Sequence, residues 1–141
     1  MSTADTDPVP DLPRHWHRPG TAGGVEVRVV AVGPAATAFS LRGDLDQPDV
    51  DAVLPLLLRL IAGSSGTDRD TVVVDLSGVG FFGSAGWELL VRAALAAAAE
   101  SVSLRGVRGD QPTIGRVLRI TGLTGIVPWF PTVEDAARRV R

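Results

Sequence analysis

The run TVVVDL at residues 71–76 constrains the fold of this chain most, because apolar β-branched residues occupy both faces of the strand it predicts. A strand that is apolar on both faces lies at the centre of a sheet, since only a central strand is covered on each side. A glycine-rich segment, SGVGFFGSAG, follows at residues 77–86, and residues 87–100 read as an alanine-rich helix. This succession of strand, loop and helix indicates an α/β protein.

Strands and helices alternate along the rest of the body. Apolar alternation predicts further strands at residues 25–32, 36–42, 102–104 and 126–130. Helical spacing of apolar residues predicts helices at about 46–62, 111–122 and 133–140, the last of them capped by Thr132. We therefore predict a small mixed sheet with helices packed on it, in the order β-β-α-β-α-β-α-β-α.

The first of these helices contains a proline. Asp46 has the character of a helix cap, with Pro48 and Asp49 in the first turn. Pro55 would remove a hydrogen bond from the helix interior. Either the helix begins near Ala52, or it is kinked at the proline.

The N-terminal segment differs in composition from the body. Residues 1–24 contain four of the ten prolines and have neither the basic start nor the apolar stretch of an export signal. We predict a disordered arm at 1–24 and one domain at 25–141. His15 and His17 flank Trp16 in the arm, but no Cys or Glu cluster accompanies them, so we expect no metal site.

The amino-acid inventory excludes several kinds of chemistry. The chain has no Cys and no Lys, which excludes thiol nucleophiles, iron–sulfur clusters and Schiff-base lysines. Its 14 basic and 16 acidic residues nearly balance, which argues against nucleic-acid binding. The most apolar window, residues 52–62, is far shorter than the roughly 20 residues of a membrane span. We expect no membrane insertion and a soluble, cytoplasmic protein.

The glycine-rich segment does not match a catalytic motif. It lacks the phosphate-binding glycine patterns and the G-x-S-x-G arrangement, and both histidines lie in the predicted arm. We therefore predict neither an enzyme nor a cofactor. Ser84 is predicted at the N-cap of the second helix, where it is either a plain cap or a serine that is phosphorylated or faces a partner. Asp44, Asp46 and Asp75 would form a cation site only if they converged on one cleft.

Three segments then resemble a known family. Residues 43–46 (GDLD), 72–87 (VVVDLSGVGFFGSAGW) and 116–123 (RVLRITGL) have the order and spacing of a STAS domain, the fold of bacterial anti-sigma factor antagonists. The resemblance covers about Val25 to the C-terminus. The resemblance implies that the chain has the STAS fold and regulates transcription. Such an antagonist binds an anti-sigma factor, which is also a serine kinase, and thereby frees a sigma factor. The kinase phosphorylates it at the start of the second helix, and a phosphatase resets the switch.

This chain departs from the family at the switch itself. The family motif is Asp-Ser-Ser-Gly or Asp-Ser-Thr-Gly, with the acceptor directly before the glycine, whereas this chain reads Gly83, Ser84, Ala85, Gly86. The residue after the glycine, usually Leu, is Trp87. The resemblance implies a partner-binding surface formed by Asp44, Asp46 and residues 83–87.

Several functions fit this motif. The first is an antagonist that is phosphorylated at Ser84. The second is an antagonist that escapes its kinase and is always competent to bind. Alternatively, the chain resembles the STAS subunits with a Ser/Thr-Ala-Gly motif that bind the ATPase of a lipid-transport ABC system and are not phosphorylated. A ligand-sensing STAS module is a further alternative.

Overall fold

A computed structural model describes residues 20–108 and 127–138 as a mixed α/β fold with a six-stranded sheet and three helices. The strands are β1 Gly20–Ala22, β2 Val25–Val32, β3 Ala36–Leu45, β4 Thr71–Phe82, β5 Ser103–Val107 and β6 Trp129–Phe130. The helices are α1 Gln47–Ser64, α2 Ser84–Glu100 and α3 Val133–Arg138. The architecture confirms the predicted fold class. The predicted helix at 111–122 lies outside the described residues.

The strands lie in the sheet in the same order as in the sequence. β1, β2 and β3 pair antiparallel, whereas β3, β4, β5 and β6 pair parallel. β4 lies between β3 and β5, and Val72, Val73 and Val74 are almost completely buried. The β-branched run therefore occupies the central position that its sequence predicted.

α1 and α2 cover one face of the sheet, and α3 packs on the other. Val53, Leu57 and Ile61 of α1 are fully buried in the core that the sheet and the two long helices share. Ala93 of α2 is also buried there, and its small side chain allows close packing. On the opposite face, Ala136 of α3 forms a separate small cluster, whose other buried members are Ala36, Val73 and Val107.

α1 begins at Gln47 with Asp46 as its N-cap, so the alternative start near Ala52 is wrong. The exposed Pro55 lies within the helix. The Asp46 N–H donates to Asp49 Oδ2 at 3.1 Å, and the Gly24 N–H donates to Asp49 Oδ1 at 2.8 Å. One carboxylate thus joins the start of α1 to the turn between β1 and β2, and satisfies two backbone donors.

Three predicted boundaries are corrected. Residues 20–22, assigned to the arm, form β1 on the edge of the sheet. β3 continues to Leu45, and β4 continues through the glycine-rich segment to Phe82. The cause is non-local, since the two extensions pair with each other, with register shifts at Ser40/Arg42 and Gly43/Asp44. Residues 1–19 lie outside the described part of the chain, and the division into arm and domain stays a prediction.

The last helix matches its predicted start. It runs from Val133 to Arg138, and the Asp135 N–H donates to Thr132 Oγ1 at 3.1 Å. The predicted cap at Thr132 is therefore confirmed. In the described residues, no helix combines the length and the apolar character that crossing a membrane requires.

Candidate functional site

β3 and β4 end next to each other, and each leads directly into a helix. Asp44 pairs in parallel register with Phe81 near the ends of the two strands. α1 begins directly after Asp46, and α2 directly after Gly83. Parallel strands place their carboxyl ends at one edge of a sheet. The two aspartates and the start of α2 therefore lie at the same edge.

Ser84 is the first residue of α2, and Gly83 is its N-cap, so the predicted N-cap position of Ser84 is wrong. The Gly83 carbonyl accepts the first intrahelical bonds, from Gly86 N at 3.0 Å and Trp87 N at 3.3 Å. Among the described residues, no side chain caps this helix. Ser84 is exposed, and its hydroxyl is not occupied by capping. This geometry leaves the serine accessible from solvent.

The next two residues face the protein interior. Ala85 is only 7% exposed and belongs to the main core. Gly86 is also buried, and a Cβ atom there would lie 2.6 Å from two carbons of the Phe82 ring. The position of the usual family acceptor therefore holds a buried methyl group. The glycine that follows it allows the helix to lie directly on a phenylalanine.

Trp87 packs partly against the core and partly faces solvent. Its ring meets that of Phe82 in an edge-to-face arrangement, with ring centroids 5.8 Å apart and an interplanar angle of 76°. This geometry is favourable for aromatic pairs. Packing against Phe82 therefore fixes one side of the indole and leaves part of it available at the surface.

Phe81 is a surface aromatic that the sequence analysis did not identify. It is 51% exposed, whereas its neighbour Phe82 is 5% exposed. Successive residues of a strand point to opposite faces, so only one of two adjacent phenylalanines can enter the core. This signal was present in the sequence, but it applies only once β4 is known to extend beyond Leu76.

Apolar side chains are also exposed on the outside of α2. Val91 is 41% exposed and Leu95 is 67% exposed, at seven and eleven residues after Ser84. Such spacing places all three side chains on one helix face. The ring of Phe81 lies against Gly83, where a Cβ would be 3.1 Å from two ring carbons. We call the exposed set Phe81, Ser84, Val91 and Leu95 the docking surface.

The three aspartates do not form a cation cluster. Asp75 accepts hydrogen bonds from Ser40 Oγ at 3.2 Å, Ser77 N at 3.0 Å and Ser77 Oγ at 2.7 Å. Asp44 is exposed, and its carboxylate lies close to Gly80: a Cβ atom added to Gly80 would be 2.9 Å from Asp44 Oδ1. Within residues 20–108 and 127–138, no three His, Cys, Asp or Glu side chains are grouped to hold a metal ion.

The mixed sheet and the helices packed on it are shared with a known class of domain. The family model described as "Mlab, STAS domain" matches residues 29–128. This chain therefore belongs to the STAS domain family. No curated protein sequence matches the chain.

Solved structures of similar fold include anti-sigma factor antagonists. One from Mycobacterium paratuberculosis has a TM-score of 0.72 and 26% identity, over 86% of this chain and 99% of that chain. An anti-sigma-factor antagonist (STAS) domain protein from Planctomyces limnophilus has a TM-score of 0.66 and 25% identity, over 78% and 92%. The Bacillus cell fate determinant SpoIIAA in its phosphorylated form has a TM-score of 0.62 and 21% identity, over 82% and 99%. The last of these shows similarity of fold alone.

Proposed function

We propose that this protein is an anti-sigma factor antagonist, a cytoplasmic binding module that sequesters an anti-sigma factor of the serine-kinase type and so frees a sigma factor. The observation that carries the proposal is the docking surface, where exposed apolar side chains adjoin an accessible serine at the start of α2. Two solved structures of 25–26% identity are described as anti-sigma factor antagonists, which supports the same assignment.

The chemistry of the docking surface suits protein binding and not catalysis. Phe81, Val91 and Leu95 present exposed apolar area, and aromatic side chains are common anchors at the centres of interfaces. Asp44 and Asp46 are exposed at the same edge and add negative charge at the rim, where charges mainly affect association rate and partner choice. Burial of these three apolar side chains against a partner would supply most of the binding free energy.

Ser84 is the proposed site of phosphorylation. It is exposed, whereas Ala85 at the usual acceptor position is buried and has no hydroxyl. A phosphate at the first residue of α2 would be favoured by the positive end of the helix dipole. It would also place about two negative charges beside Phe81, on a surface that a partner must desolvate. Phosphorylation would therefore release the partner without unfolding the helix.

The binding test uses purified protein and each kinase-type anti-sigma factor of the host, with affinity measured by calorimetry. We expect Phe81→Ala or Leu95→Ala to weaken binding by about fivefold or more, because truncating an interface anchor typically costs over 1 kcal/mol. Val30→Ala is the matched control, since Val30 is 42% exposed on β2, on the sheet face opposite α1 and α2. Equal effects of Phe81→Ala and Val30→Ala would contradict the proposed surface.

The phosphorylation test uses the same kinase with ATP and intact-protein mass spectrometry. We expect addition of one phosphate to the wild type and none to Ser84→Ala. Ser84→Ala should still bind the anti-sigma factor, and Ser84→Asp should bind it more weakly. Phosphate on another residue would refute Ser84 as the acceptor and leave the binding proposal intact.

A second candidate function rests on the motif Ser84-Ala85-Gly86. It has the Ser/Thr-Ala-Gly form of STAS subunits that bind an ABC-transporter ATPase and are not phosphorylated. A pull-down that recovers an ABC ATPase and no anti-sigma factor would favour this function over the first. The docking surface would then contact the ATPase, and the Phe81→Ala and Val30→Ala comparison would apply unchanged.

A further inference from the structure

A polar groove lies on the face of the sheet opposite α1 and α2. Its volume is about 300 Å³. α3 packs on this face around Ala36, Val73 and Val107. None of these three residues lines the groove, which lies beside the area that α3 covers. The lining residues are Glu26, Arg28, Ser40, Leu41, Arg42, Asp75, Ser77 and Gly78.

Two arginines line the groove from neighbouring strands. Arg28 on β2 lies opposite Ser40 on β3, and Arg42 is two residues further along β3. Diagonal neighbours of this kind are about 7–8 Å apart, which lets both guanidinium groups reach one small anion. Both side chains are exposed, and no carboxylate of the described residues forms an ion pair with either of them.

The nearby carboxylate of Asp75 already has its own partners. Three hydrogen bonds, two to Ser77 and one to Ser40, occupy both of its oxygens. These contacts orient the Asp75 carboxylate without help from the arginines. Glu26 is directly opposite Arg42 in the sheet, yet the two form no ion pair.

The shape of the groove comes from a β-bulge. Ser40 pairs with Asp75, and Arg42 pairs with Gly78, so β4 has one more residue than β3 between these pairs. Ser77 lies on this face because it is two residues after Asp75, and the extra residue brings Gly78 opposite Arg42. Both Ser77 and Gly78 are exposed. A Cβ at Gly78 would lie 3.0 Å from the Leu41 carbonyl oxygen, so the close approach of the strands favours glycine. Bulges of this kind commonly redirect side chains beside binding sites.

We propose that this groove binds the phosphate group of a small phosphomonoester whose body carries hydroxyl groups. Arg28 and Arg42 hold the phosphate, because planar guanidinium groups match its oxygens in paired hydrogen bonds. Glu26 lines the same groove and accepts hydrogen bonds from the hydroxyl groups of the ligand body, which inorganic phosphate does not have. The site is separate from the docking surface, so the inference does not depend on the proposed function.

The test titrates glucose 6-phosphate, inorganic phosphate and glucose into ¹⁵N-labelled protein and follows amide chemical shifts. We expect glucose 6-phosphate to shift the resonances of Ser40, Ser77 and Gly78 with saturation, inorganic phosphate to shift them more weakly, and glucose to leave them unchanged. Equal affinity for glucose 6-phosphate and inorganic phosphate would refute the claim that the groove recognises the hydroxyl groups of the ligand. Equal affinity for glucose, or no binding of either phosphate compound, would overturn the site itself.

Variants localise the effect to the two arginines. Arg28→Gln and Arg42→Gln should each weaken binding of glucose 6-phosphate by about tenfold or more, since each removes a charge-assisted contact. Arg92→Gln on α2 is the matched control, because Arg92 is also exposed but is paired with Glu88 at 3.5 Å, and it should bind like the wild type. Equal affinity of all three variants would refute the proposal, and circular dichroism verifies that each is folded.

Discussion

Gly86→Ala tests how closely α2 packs on β4. The new Cβ would lie 2.6 Å from two carbons of the Phe82 ring and 2.9 Å from a third. Carbon atoms ordinarily approach to about 3.5–4.0 Å, so roughly 1 Å of movement is needed. Phe82 is only 5% exposed and belongs to the core, and its ring cannot move without displacing other core residues.

Two opposing effects set the magnitude. Overpacking of this severity costs about 2–3 kcal/mol, the upper part of the usual range. Alanine restores about 1 kcal/mol relative to glycine in a helix. We therefore expect Gly86→Ala to lower the free energy of unfolding by about 1–2 kcal/mol. Urea denaturation followed by circular dichroism measures this, and the denaturant slope should remain unchanged.

Two further variants separate the clash from other causes. Ala98→Gly, at an exposed position of the same helix, measures the alanine–glycine difference without any new contact. Phe82→Leu removes the ring atoms that the new Cβ would meet. The Gly86→Ala and Phe82→Leu double variant should be more stable than the sum of the two single effects predicts, by about 1 kcal/mol. Additive effects, or a Gly86→Ala protein as stable as the wild type, would refute the packing argument.

Three other predictions concern stability and are measured by thermal and urea denaturation. Thr37→Val should stabilise the fold by about 1 kcal/mol, because the buried Thr37 hydroxyl has no hydrogen-bond partner among the described residues; a loss of stability would contradict this. Asp49→Ala should cost about 1–2 kcal/mol, since it removes the acceptor of Gly24 N and Asp46 N; an unchanged midpoint would show that water replaces the carboxylate. Gly106→Ala should be destabilising, because its Cβ would lie 2.4 Å from the Trp129 ring; a neutral result would show that Trp129 moves away readily.

The local sequence was sufficient to identify those strands and helix starts that depend on a short-range pattern of residue types. The run from Thr71 to Leu76 could be placed at the centre of the sheet because a strand with apolar residues on both faces needs cover on each side. The start of α1 was readable from Asp46, Pro48 and Asp49, since capping is determined within one turn. The same kind of signal located the start of α3 at Thr132.

The candidate site was predicted only in part. The sequence motif drew attention to Asp44, Asp46 and residues 83–87, and the parallel pairing of β3 with β4 brings them to one edge. The extent of the site along Phe81, Val91 and Leu95 was not predicted. Exposure on a strand or helix depends on which faces the neighbouring elements cover, and that information is not local.

The α/β class, the central strand and the absence of a hydroxyl at residue 85 could be read without the structure, because each follows from residue type and short-range pattern. The tertiary structure alone decided that residues 77–82 are strand and not loop, that Ser84 is exposed while Ala85 is buried, and that Arg28 and Arg42 share a groove. Each of these depends on contacts between residues far apart in the chain. A backbone that reads as a loop becomes a strand when a neighbouring strand satisfies its hydrogen bonds.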